Sequence, residues 1–532
     1  MIQGNKLFQN VRGAPVLRSA HDLSYSKLMT ADMGLIYPVL CDEAIPGDTW
    51  NIANEMVIRM QPMVAPILHQ IDIKVDYFFV PYRILWDGWE NFITGGEHGD
   101  DASVLPRVDP EDTDINNSGK FWDYIGLPPG VIPRGCFPLR FPFLAYKKIW
   151  NDFYRDENLQ EPIDLEEVPT NGWGDILRCA WEKDYFTSAL LTQQKGTAPA
   201  LPISGLTSAV FNSANFPFDL PIRFNGEGAD VFGVRASGIP TFLTSNGNDT
   251  EALSGTLGAR MTTATGGGLD MLNDNTVDLS SATTFNVADL RLAVQTQKWL
   301  ERNNRAGSRY TEFLQSHFNV SPKDERLTRP EFISGTRNSV IVSEVLQTSK
   351  TDNGTDPSPQ GNMAGHGIAV SSENAGRYFV TEFGVIMGLM RIVPKTMYTQ
   401  GINRQWLRRD KLDFPFPEFV NLSEQAIETA EIYATNVADE NTLLFGYQGQ
   451  YDELRFKPNQ ICSKMRDDFN FWHLGREFSS APSLNASFIT CTPRKDIFAV
   501  PTEPGFIVYF GNRLKAIRPI PGIAEPGSLD HN

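Results

Sequence analysis

The stretch Met56–Gly96, MVIRMQPMVAPILHQIDIKVDYFFVPYRILWDGWENFITGG, decides the fold. At its centre Ile71, Ile73, Val75, Tyr77 and Phe79 share one face, while Asp72, Lys74 and Asp76 fall on the other. That period of two predicts a half-buried antiparallel strand with one wet side. Pro81 ends it, because proline has no N–H to give to a sheet ladder. Trp86, Trp89, Phe92 and Ile93 then recur at three- and four-residue spacing, as on one face of a short helix closed by Gly95 and Gly96. Upstream, Trp50, Ile52, Met56, Ile58 and Met60 alternate with Asn51, Ala53, Glu55, Val57 and Arg59, predicting another strand. The punctuated run from Ser24 to Gly47 predicts one more.

Bulk composition narrows the class. With 532 residues, 41% hydrophobic and 21% charged, the chain can bury a large core and is not disordered throughout. Its 43 glycines and 35 prolines, set among short apolar runs, favour β-architecture with long loops. No apolar run is long enough to span a membrane, and Met1–Ala20 lacks the core of a signal peptide, so folding in a cytoplasm is expected. Cys41, Cys136, Cys179, Cys462 and Cys491 are far apart with no CxxC, which reads as buried thiols in a reducing compartment. A net charge of −17 argues against a chain whose main affinity is for phosphate backbones. Contact with nucleic acid would need a local patch or a basic partner.

The other segments follow the same logic. Phe137–Leu159 predicts a helix with Tyr146, Ile149, Trp150 and Phe153 on one face. Between Lys195 and Lys298 there is no lysine, and Thr197–Ala282 is rich in Gly, Ser, Thr, Asn and Ala with scattered phenylalanines. It reads as a folded surface insertion, residues 197–282, rather than a flexible linker. Asn286 can cap a helix whose stripe is Val287, Leu290, Ala293, Val294 and Leu300, and Tyr310–Phe318 can form a second. Tyr378–Val393 is apolar on both faces, as a sandwich-core strand would be, and further strands are expected at Ala486–Thr492 and Phe506–Tyr509.

A search for chemistry returns little. There is no HExxH, GxSxG, GxxxxGK[ST] or well-placed GxGxxG. The histidines are isolated, and the acids Asp109, Glu111, Asp112 and Asp114 lack the ordered spacing of a calcium loop. Three basic clusters stand out: Lys6, Arg12 and Arg18 in the N-terminal arm; Arg404, Arg408 and Arg409 in RQWLRR; and Arg513, Lys515 and Arg518 in the tail Asn512–Pro519. Arginine interleaved with an aromatic can neutralise phosphate and stack bases. An ordinary charged surface has the same composition.

Taken together, several segments resemble one family. They are the opening stretch, FLAYKKIWNDFYRDENL, WEKDYFTSAL, QTQKWLERNNRAGSRYTEFLQSHF, ISGTRNSVIVSEVLQTS, PQGNMAGHG, PKTMYTQGINRQW, FGYQGQYDELRFKP, DFNFWHLGREFSS and LKAIRPIP. In this order they resemble the major capsid protein of the Microviridae, small single-stranded-DNA bacteriophages, and within them the gokushovirus branch. The likeness spans nearly the whole chain except Thr197–Ala282.

The resemblance implies one eight-stranded antiparallel jelly roll over residues 1–532, with long helix-bearing insertions, assembling through pentamers into a sixty-copy T=1 shell. It implies that 197–282 forms a protrusion at the three-fold axes for host attachment. It implies no enzymatic activity and no cofactor, and leaves open a bridging cation such as calcium. The implied partners are further copies of the chain, the circular single-stranded genome, a small basic DNA-binding phage protein and a host receptor. There would be no membrane insertion, and the protein would reside in the virion after assembly in the bacterial cytoplasm. Lys6, Arg12, Arg18, Arg404, Arg408, Arg409, Arg513, Lys515 and Arg518 become candidates to face the genome. Trp86, Trp89 and Phe92 become candidate anchors of a loop near a subunit contact. The rival is a β-sandwich that binds or cleaves polysaccharide, which needs two carboxylates about 5–10 Å apart in a cleft.

Overall fold

The structure, a computed structural model, describes residues 18–98, 100–108, 118–129, 138–165, 174–199, 221–223, 231–233, 287–306, 309–321, 323–346, 348, 361 and 363–523. The chain divides into two compact units, Met1–Lys195 with Leu300–Asn532, and Gly196–Trp299. In chain order the strands are β1 (Ser19–Asp22), β2 (Tyr25–Ala31), β3 (Ile36–Ala44), β4 (Thr49–Met60), β5 (Ile71–Pro81), β6 (Pro221–Arg223) and β7 (Val231–Gly233). They continue as β8 (Glu331–Ser339), β9 (Ile341–Leu346), β10 (Met363–Phe379), β11 (Gly384–Pro394), β12 (Glu424–Glu428), β13 (Leu444–Gly449) and β14 (Phe506–Arg518). The protein is mainly β, and every strand pair is antiparallel.

Two large sheets build the sandwich of the larger unit, which also holds the pair β12-β13. One has six strands in the order β1-β14-β4-β10-β9, with β2 also on β14; the other has four, β3-β11-β5-β8. Alternation fills the space between them. Trp50, Ile52, Met56 and Ile58 of β4 and Phe506, Val508, Phe510 and Leu514 of β14 meet Ile71, Ile73, Val75, Tyr77 and Phe79 of β5 and Ile386, Met390 and Ile392 of β11. This is the β-sandwich expected of two half-apolar antiparallel sheets.

The wet side predicted for β5 is covered. Phe78 and Val80 of β5, with Val385, Met387, Leu389 and Val393 of β11, form a second core against the helices α2 (Phe121–Ile125) and α3 (Phe141–Ile149). Tyr146 of α3 donates from its hydroxyl to the Ile36 carbonyl at 2.7 Å and accepts from the Leu177 amide at 2.9 Å, fixing the helix to β3. The charged residues of β5 tolerate this cover because each is matched. Asp72 is bound by Arg337, Ser339 and Gln70, Lys74 pairs with Glu182, and Asp76 accepts from the Tyr154 hydroxyl at 2.8 Å and from Arg391 at 3.2 Å.

Other expectations need adjustment. Tyr378–Val393 is two strands, because β10 ends at Phe379 and β11 begins at Gly384 in the other sheet; the apolar run is a corner between layers. Ala486–Ile489 is one helical turn capped by Asn485, whose side chain accepts from the Phe488 amide, and Thr490 then bridges to Ala180. The basic tail belongs to β14, where Leu514 and Ala516 point inward between outward Arg513 and Lys515. The helix at Val287–Ala306 forms, but Leu290 and Val294 on its stripe are exposed. Its expected cap Asn286 and most of 197–282 lie outside the described residues. Within the smaller unit, β6 pairs with β7, setting Ile222 opposite Phe232.

Candidate nucleic-acid interface and contact surfaces

The two sheets of the sandwich differ on their outer sides. The four-stranded sheet carries the helix layer, whereas the six-stranded sheet presents alternate side chains of β2, β14, β4 and β10 to the surface. Of the predicted basic residues, Arg513 and Lys515 stand on that open face. Arg513 forms an ion pair with Glu55 on the adjoining strand. Lys515 lies opposite Asp22 of β1 and Asn51 of β4. The Asp22 carboxyl is held below the usual range, first by hydrogen bonds from Ser24 and more weakly by the Lys515 charge.

Arg518 does a different job at the end of the same strand. Its guanidinium lies 5.0 Å from the Trp50 ring centroid, reaches Asp48 at 3.4 Å and donates to the Glu43 carbonyl at 2.8 Å. Asp48 also accepts from the Trp50 indole at 3.2 Å, so Arg518 closes a structural corner. Arg18 approaches Gly47 at the same corner, while Lys6 and Arg12 lie outside the described residues.

The RQWLRR cluster is matched by acids. Arg404 donates to Glu431 at 2.8 Å and to the Ala426 carbonyl at 2.6 Å, Arg409 reaches Glu428 at 2.6 Å, and Arg408 lies 5.0 Å over Phe414 and 3.9 Å from Glu453. The partners of Arg404 and Arg409 come from β12 and the helical turn behind it, about twenty residues downstream, and Glu453 comes from the turn after β13; none is marked in the sequence. Trp406 projects into solvent, and Gln405 and Arg409 are exposed beside it.

Glu431 and Glu453 also test the polysaccharide reading, since both border a cavity of about 270 Å³ together with Tyr398, Trp406 and Phe456. Both carboxylates are occupied by the protein's own donors: Glu431 by Arg404 and the Tyr185 hydroxyl, Glu453 by Gln425 at 2.6 Å. Burial pushes the Glu431 carboxyl up while Arg404 pulls it down. Among the described residues no group of three or more His, Cys, Asp or Glu is placed to hold a metal ion, and no helix is long and apolar enough to cross a membrane. The acidic cluster Asp109–Asp114 lies outside the described residues.

Trp86, Trp89 and Phe92 hold one short element in place. The helix α1 (Trp89–Thr94) docks through Trp89, whose ring lies 4.9 Å from Tyr82, 5.8 Å from Phe141 and 5.8 Å from Phe383. Trp86 precedes the helix, with its ring 5.9 Å from Phe92 and packed over Gly88, where a Cβ would come within 2.4 Å. Trp86 and Trp89 pack against the helix-covered core, on the side away from the open sheet, and Phe92 packs on both of them.

The fold is thus a β-sandwich sealed under helices on one face and bare on the other. The profile of the family described as "Capsid protein (F protein)" matches residues 9–528, and the chain belongs to that family. It is 32% identical to the capsid protein VP1 of Chlamydia phage 1 over 99% of both chains. It is 33% identical to that of Bdellovibrio phage phiMH2K, over 98% of this chain and 97% of the relative. It is 30% identical to the VP1 of Spiroplasma virus 4, over 91% and 89% respectively. The Microviridae resemblance is thereby established, and with it a structural capsid role.

Proposed function

We infer that this chain is the major capsid protein of a gokushovirus-like phage and that sixty copies close a T=1 shell around a circular single-stranded DNA genome. The observation that carries this reading is the asymmetry of the sandwich, one sheet sealed under helices and the other bare over four adjoining strands. A shell subunit needs an inner and an outer side of different character. The order β2-β14-β4-β10 against β3-β11-β5-β8 supports an eight-stranded jelly roll, with β1 and β9 as additions at the edges of the larger sheet. Exposed Trp406, Phe414 and Phe456 supply apolar surface of the kind that assembly buries.

In this reading residues 197–282 form the host-attachment protrusion, and Trp86, Trp89 and Phe92 brace a loop near a subunit contact. A chain of −17 needs its cations gathered on the genome side and a small basic phage protein to help condense the DNA. The shell assembles in the bacterial cytoplasm and persists as the virion. Electron microscopy of the purified protein, alone and co-expressed with the other phage proteins, tests the reading. Closed sixty-copy shells are expected; a strictly monomeric species under every assembly condition overturns it.

A further inference from the structure

We propose that the open face of the six-stranded sheet is a track for single-stranded DNA, with Arg59, Arg377, Arg513 and Lys515 taking phosphates and Tyr509 stacking a base. The proposal rests on the capsid reading and assigns the genome contact within it.

The ladder register brings these residues together. Lys515 lies opposite Asn51, which lies opposite Arg377, so two cations stand in one row across three strands. The neighbouring row is Arg513, Ala53 and Asn374. Further along, Leu28, Tyr509, Val57 and Val370 form an apolar row that includes an aromatic, and beyond it Arg59 stands between Ile507 and Ile368. Successive rows are about 7 Å apart, twice the strand rise, and neighbouring strands about 4.8 Å. Cations therefore flank Tyr509 on both sides along the strands, within a few nucleotides' reach. A sequence-tolerant single-strand site has this composition: a backbone-following positive groove beside an aromatic platform.

The acids of the face do not cancel the cations. Glu55 leans across Gly511, where a Cβ would lie 2.6 Å from its Cγ, and is held by Arg513 and by the Tyr509 hydroxyl at 3.4 Å. Asp22 at the β1 edge accepts from the Ser24 amide at 3.0 Å. Arg59, Arg377 and Lys515 have no salt-bridge partner among the described residues, unlike Arg404, Arg409 and Arg518. On a chain of −17, such an accumulation on one bare face complements a polyanion. A second copy packed two-fold on this face would set like cations against one another.

The test uses whole particles. Ultraviolet crosslinking of particles grown with 5-bromouracil-substituted DNA, followed by peptide mass spectrometry, is expected to place adducts on the β14 peptide bearing Tyr509. In parallel, the double variant Arg377→Glu/Lys515→Glu is expected to form shells of normal size with several-fold less encapsidated DNA. Binding of the purified Arg377→Ala/Lys515→Ala protein to an oligothymidylate should lose about 1.4 from the slope of log K against log salt, the share of two phosphate contacts. DNA-filled shells whose crosslinks lie elsewhere, or a charge-reversed variant with normal DNA content, overturn this assignment and leave the capsid reading intact. A variant arrested at unassembled subunits while the parent closes shells shows that the face docks another copy instead. Failure of the parent chain to form shells removes the capsid reading itself.

Discussion

The Asn54 side-chain amide donates a 2.8 Å hydrogen bond to the Tyr77 hydroxyl, and both residues are fully buried. The bond joins β4 of one sheet to β5 of the other through the sandwich core, beside Asn512 of β14, whose amide donates across the same gap to the Val39 carbonyl of β3 at 2.9 Å. A buried donor that loses its acceptor costs about 1–3 kcal/mol, more than the bond itself contributes. Tyr77→Phe is therefore expected to lower the chemical-denaturation free energy by that amount. The double variant Asn54→Leu/Tyr77→Phe should recover part of the loss; equal or greater loss in the double variant would contradict this account.

Gly34 offers a backbone test. It sits at φ +80°, and a Cβ there would come within 2.2 Å of the Cys491 carbonyl oxygen. The Gly34 amide also donates to the Ile392 carbonyl at 2.9 Å and its own carbonyl accepts from the Cys179 amide at 3.0 Å. Neither neighbour is a flexible side chain, so the strain of a left-handed alanine adds to a backbone clash. Gly34→Ala is expected to leave little soluble protein at 37 °C, measured as the soluble fraction against the parent.

Arg404 and Glu431 separate structural from nucleic-acid roles. The Glu431 side chain is 3% exposed and that of Arg404 28%, so removing the guanidinium strands a buried carboxylate at a cost of order 3 kcal/mol. Burial already raises the Glu431 carboxyl, and losing Arg404 raises it further. The penalty of Arg404→Ala is thus greatest at neutral pH and shrinks as pH falls and Glu431 protonates. Urea melts at pH 7 and pH 5 measure this, and oligonucleotide affinity per folded molecule should stay at the parent value.

His69 predicts an acid limb of stability. Burial lowers it to about 4, helped slightly by His473 and opposed by the Lys395 carbonyl, which lies 2.7 Å from Nε2. The native ring stays neutral where the unfolded one, near 6.5, takes up a proton. Stability is therefore full above about pH 6.5, falls as pH drops toward 4, and loses on the order of 3 kcal/mol across that window. His69→Gln keeps a donor for Lys395 but cannot titrate, so its denaturation midpoint should change less between pH 7 and 4. An unchanged slope in the variant would sink the assignment.

The strands carrying strict alternation were legible: β4 and β5 follow the period-two pattern, and the apolar face of β5 lines the sandwich as Ile71 to Phe79 indicate. What was hidden depended on distant partners. Asp72, Lys74 and Asp76 read as solvent-facing because Arg337, Glu182 and Arg391, which satisfy them, come from segments far along the chain. The corner at 380–383 was invisible because Tyr378 and Phe379 at the end of β10 run on into the apolar β11. The acids that match RQWLRR are hidden for the same reason, lying on β12, on the turn after it and on the turn after β13. Arg59 could have been singled out earlier, since it shares the outward face with Asn51 and Glu55 in the alternation of β4.

The position of β14 has a consequence in time. It fills the middle of the six-stranded sheet, with β4 on one side and β1 and β2 on the other, and Leu514 bonds to Ser24 from 490 positions away. At about 5–20 residues per second of synthesis, the early strands wait roughly 25–100 s before this neighbour leaves the ribosome. Until then β2 and β4 keep open edges of the kind that recruit stray chains. Crowded polysomes making this protein therefore face their greatest hazard of cross-pairing before release, and a chaperone that shields the nascent β2–β4 region should raise the yield of correctly closed subunits.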